Sequence, residues 1–88
     1  MRFRKKPVTI EAVRVADVLT KPGEELPDWV GAAVMSGALR AEGDSLQIGT
    51  LEGVMTGGRE DWLLRGTAGE LYPCKPDIFA ATFEPARP

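Results

Sequence analysis

Apolar positions alternate with polar ones in several short runs, the period of a strand with one buried face. In residues 7–15, Val8, Ile10 and Ala12 lie on one face and Thr9 and Glu11 on the other. The phase then shifts, because Val13 and Val15 are apolar on the opposite parity. That predicts either a bulge near Ala12-Val13 or burial on both faces at the far end. Residues 16–25 are mixed, with a turn at Lys21-Pro22-Gly23. Leu26, Trp29-Val30, Ala33-Val34 and Gly37 follow helical spacing instead. Pro27 and Asp28 suit the first turn of that helix, and Gly37 suits a left-handed cap at its end. Trp29 is the expected core anchor.

Short alternating runs follow at 39–41, 45–48 and 54–56, separated by tight turns at 42–44 and 50–53. Residues 57–60 read as a loop. Residues 61–72 read as a hairpin: Trp62 and Leu64 alternate with Leu63 and Arg65, residues 66–69 turn, and Glu70-Leu71-Tyr72 returns. Neither Pro73 nor Pro76 donates to a ladder, so pairing is expected to end after Tyr72. Pro76 and Asp77 predict a second helical piece of about one and a half turns at most. Phe83 and Glu84 then return to extended chain. Together these elements predict an α+β fold, a mostly antiparallel sheet of about five to seven short strands, partly barrel-like, packed on one main α-helix. With no long linker and no repeat, residues 1–88 read as a single domain.

Composition narrows the function classes. A chain of 88 residues has a modest core. One cysteine and no histidine leave no internal disulfide and no ligand set for a structural zinc. Oligomerisation is the remaining supplement, so a homo-oligomer is expected. The net charge of −2 gives no field for nucleic acid beyond the short basic run at residues 2–6. No secretory signal pattern and no membrane-length apolar run occurs, and the expected place is the cytoplasm.

Without histidine, no nucleophile–base pair can be assembled, and no phosphate-loop spacing is present. The chain therefore reads as a non-enzyme with no cofactor, no metal and no catalytic residue. Lys75 and the nearby helix start are expected to lower the pKa of Cys74. Glu11, Glu52, Asp61, Glu70 and Asp77 read as turn caps or surface charges. The best binding constellation is cationic and aromatic: Arg4, Lys5, Lys6, Arg65 and Lys75 with Tyr72 and Trp62. Arginine gives bidentate contacts to anions, and tyrosine gives a stacking face with a polar tip. The candidate ligand-binding set is Arg4, Lys5, Lys6, Arg65, Glu70, Tyr72 and Lys75, suited to a nucleotide or another planar anion. The competing reading is a hairpin whose aromatics are core and whose charges are solvated.

Three segments carry a resemblance: RKKPVTIEAV at residues 4–13, IGTLEGVM at 48–55 and LLRGTAGELYPCKPDIFAATFEP at 63–85. They resemble a family of small uncharacterised phage and prophage proteins, whose segments typically run RKKPVxIEA, TLEG and GE-YPCKPDIF. The last segment is the specific one. Where the family commonly has Pro-Gly-Asp-Tyr, this chain has Arg59-Glu60-Asp61-Trp62. The resemblance implies a phage or prophage setting in a bacterial host and no enzyme activity. Two functions are therefore expected. One is a non-catalytic binder of a small anionic, nucleotide-type ligand, used against host defence signalling. The other is a protein-interaction module that binds and modulates a host protein through an exposed apolar patch or sheet edge.

Overall fold

The computed structural model describes residues 1–3 and 8–86. The order is β1 (Glu11–Arg14), α1 (Val15–Thr20), a 3-10 turn (Gly23–Glu25), α2 (Asp28–Ser36), β2 (Leu39–Glu42), β3 (Ser45–Thr50), β4 (Gly53–Gly58), β5 (Trp62–Arg65), β6 (Leu71–Cys74) and α3 (Pro76–Thr82). The fold is α+β, as expected, but the one curled sheet is replaced by two. They are three-stranded, in the orders β1-β5-β6 and β2-β3-β4, and every pair is antiparallel. Each holds fewer strands than the expected sheet, and neither closes into a barrel.

The phase shift near residue 13 is resolved without a bulge. Register runs unbroken from Glu11 opposite Arg65 to Arg14 opposite Trp62. Val13 faces the core beside Leu63, while Ala12 pairs with Leu64 on the other face. Val15 then leaves the strand and opens α1, fully buried. This helix is a correction to the mixed reading of residues 16–25. Val15, Val18 and Leu19 have helical spacing, but six residues are too few to separate it from the strand's own apolar run.

Helix α2 starts after Pro27 and ends at Gly37, whose φ of +85° favours glycine. Its buried residues are Val30 and Ala33; Trp29 is half-buried against the core, and Val34 is exposed. The anchoring face is therefore narrower than the spacing predicted. The helix packs beside β2 and buries one stripe, which Val34 does not reach.

The tight turns hold. Gly43-Asp44 joins Glu42 to its partner Ser45, and Leu51-Glu52 joins Thr50 to Gly53. Leu39, Leu46 and Ile48 from one sheet meet Val13 and Leu63 from the other, with Val15, Val30 and Ala33 completing the core. Gly57 lies against this core. A Cβ there would stand 3.2 Å from Val15 Cγ2, 3.3 Å from Ile48 Cδ1 and 3.7 Å from Pro73 Cβ. Residues 57 and 58 thus belong to β4 rather than to a loop.

Pairing does not end after Tyr72. Pro73 sits in β6 opposite Leu63, and Cys74 opposite Trp62. An edge strand tolerates a missing N–H on its unpaired side, and β6 is an edge. Pro76 is the first residue of α3, which runs seven residues, longer than expected.

Candidate functional site

The described members of the cationic-aromatic set are dispersed by the sheet that carries them. Arg65 pairs across the hairpin with Leu71, and Tyr72 with Leu64. Successive residues of a strand point to opposite faces, so Arg65 and Tyr72 project apart. Lys75 follows the far end of β6, about four residues of strand or roughly 13 Å from the level of Arg65. Arg65 and Lys75 each have a carboxylate as well. Arg65 Nη1 lies 3.3 Å from Glu11 Oε2, and Lys75 Nζ lies 3.3 Å from Asp61 Oδ2. Glu70 Oε2 accepts the Ala68 N–H at 3.1 Å and so ties the hairpin turn. Arg4, Lys5 and Lys6 lie outside the described residues.

The Trp62 ring already carries two partners. Phe79 stacks on it with centroids 4.1 Å apart at 12°, and Arg14 stands 4.3 Å over its centroid. This stack forms one wall of an apolar groove of about 630 Å³, shared with Val8, Ile10, Ala12 and Phe83.

A second hollow, of about 320 Å³, opens between the β3–β4 corner and the start of β6. Leu51, Glu52 and Met55 line one side, and Glu70, Leu71 and Tyr72 the other. Among the described residues that line it, the charged ones are two carboxylates, Glu52 and Glu70. Burial pushes the Tyr72 hydroxyl pKa up, and Glu70 and then Cys74 add to the rise. Leu51 is 90% exposed, Val54 73% and Met55 44%. Val54 and Met55 belong to β4, an edge strand with no charged residue, whereas the opposite edge, β2, carries Arg40 and Glu42.

Sequence reasoning did not single out Leu51, Val54 or Met55. A signal was present, because a leucine stands in a two-residue turn where glycine, asparagine or aspartate is usual. The Cys74 expectation is reversed. Burial raises its thiol pKa, with Asp61 and then Asp77 adding to the rise. The Lys75 ammonium that was expected to lower it is turned to Asp61. Among the described residues, no cluster of three or more His, Cys, Asp or Glu side chains is placed to hold a metal. No helix there is long and apolar enough to cross a membrane. Comparison with protein-family models, curated proteins and solved structures gives no match to this chain.

Proposed function

We propose that this chain is a non-catalytic protein-interaction module of phage or prophage origin that binds and modulates a host protein in the bacterial cytoplasm. The observation that carries this reading is the exposed, uncharged edge strand β4, with Val54 and Met55 on it and Leu51 at its entry turn. An edge strand offers unpaired backbone groups to another chain, and soluble proteins usually guard such edges with charge or proline. Here β6 has Pro73 and β2 has charges, while β4 has neither. The small-anion reading draws less support, since the described residues around the hollow beside Tyr72 present Glu52 and Glu70 and, among them, no cation.

The test compares the immobilised wild-type chain with a Val54→Glu/Met55→Glu variant in host bacterial lysate. Retained proteins are identified by mass spectrometry, purified and titrated. The expected result is a purified host protein whose affinity falls at least about tenfold for the variant, a loss near 1.4 kcal/mol. Both substituted residues are exposed, so the melting temperature should be nearly unchanged. A host protein that binds both forms equally rejects the β4 surface. A nucleotide-sized mass retained in native mass spectrometry and lost on denaturation would return the weight to a small anionic ligand.

A further inference from the structure

We infer that the hollow between the β3–β4 corner and β6 receives an apolar side chain from a partner segment that carries lysine or arginine beside it. This rests on the protein-interaction reading and names the chemistry of the partner. The floor supplies the apolar half of the argument. Leu51, Met55, Leu71 and Tyr72 surround a space of about 320 Å³. That is the low end of the range for ligand sites, about 300–1,000 Å³, and fits one or two side chains better than a cofactor.

The rim supplies the electrostatic half. Glu52 has no ion-pair partner among the described residues, and Glu70 spends one interaction on the Ala68 N–H. A carboxylate accepts about four hydrogen bonds, so both keep capacity for an incoming cation. The raised Tyr72 pKa has Glu70 among its causes, which agrees with a negative local field. An anionic segment entering here meets like charge, and a cationic one is steered in. The neighbouring β4 edge favours an extended polypeptide over a free amine, because its unpaired side can add a strand. Complementary charge around an apolar anchor thus selects the segment in two ways at one place.

The experiment uses fluorescein-labelled peptides with a leucine-phenylalanine centre flanked by lysines, by serines or by glutamates, titrated against the full chain. The lysine-flanked peptide should bind at least about tenfold tighter than the glutamate-flanked one. Its affinity should fall as salt rises from about 0.05 M to about 0.5 M, where screening shortens from beyond about 10 Å to under about 5 Å. Glu52→Gln should weaken it roughly two- to fivefold, the scale of an exposed ion pair. Glu24→Gln, an exposed acid outside the hollow, should leave it unchanged.

Equal affinity for the peptides, no binding of any of them, or indifference to Glu52→Gln overturns the inference. If a host protein still binds through Val54 and Met55 in those cases, the interaction reading survives alone. If the chain self-associates in sedimentation and Met55→Glu abolishes the association, the occupant is a second copy, and the foreign segment is rejected.

Discussion

Cys74 stands between Lys75 and the start of α3, a setting that in sequence suggests an activated thiol. Its neighbours in space reverse this. Burial withdraws solvent from the thiolate, and the carboxylates of Asp61 and Asp77 oppose a second negative charge. The thiol donates to the Lys75 carbonyl oxygen at 3.6 Å, a contact available only while it holds its proton. Its pKa therefore lies above the ordinary value of 9.0 in the folded chain. The sign follows. The folded state holds this proton more tightly than the unfolded state, so the group's contribution to stability is intact below 9.0. It is lost as pH rises through the folded value. The thiolate is the species that attacks. Alkylation by iodoacetamide should thus be slow at neutral pH and show its midpoint above 9.0 in native protein. In urea-unfolded protein the midpoint should move down. A native midpoint below the unfolded one would mean that the Lys75 ammonium dominates after all.

Elements were legible where periodicity and punctuation agreed, and hidden where chain segments were short or where space decided. Helix α2 has Pro27 before it and Gly37 after it, and its bounds follow from those two residues. Helix α1 has Pro22 and Gly23 just past its end but no such signal at its start, where its apolar residues continue the run of β1. The continuation of β6 through Pro73 depends on β6 being an edge, which no local pattern states. The candidate site was the least legible part. Whether Arg65 and Tyr72 share a face is fixed by strand parity, but their carboxylate partners come from residues distant in sequence, as with Glu11 and Arg65. Trp29 tests the α2 reading. It is half-buried, and its indole N–H is buried without a hydrogen-bond partner among the described residues. Trp29→Ala should cost about 2–4 kcal/mol, the loss of large apolar contacts at a partly exposed position. Trp29→Phe keeps most of the ring contact and removes a donor that gains nothing inside, so it should cost about 1 kcal/mol or less. Urea unfolding of both variants checks the pair. If phenylalanine is as damaging as alanine, the indole nitrogen has a partner and the packing account of α2 is wrong.

At the scale of the whole molecule, the question is what holds two small sheets in one arrangement. Gly57 leaves room for Val15 and Ile48 beside it, and the residues that follow it lock the corner. Asp61 is 4% exposed. Its Oδ2 accepts the Gly58 N–H at 2.9 Å, at the end of β4, and lies 3.3 Å from Lys75 Nζ, just past β6. Its backbone oxygen accepts the Val15 N–H at 3.0 Å, where β1 gives way to α1. One residue therefore joins the end of one sheet, an edge of the other and the start of a helix. The two side-chain contacts are not equal. Lys75 is 68% exposed along its side chain, so its ion pair competes with water and is worth about 1 kcal/mol or less. The Gly58 N–H is a part-buried backbone donor, and leaving it unpaired costs about 1–3 kcal/mol. Asp61→Ala should fall in that larger range, while Lys75→Met should stay within the smaller one. Asp61→Asn separates the two causes, because its amide oxygen still accepts from Gly58 while its charge is gone. It should recover most of the stability that alanine loses. An asparagine variant as unstable as the alanine one would transfer the role to the ion pair, and Lys75→Met would then have to show the same loss.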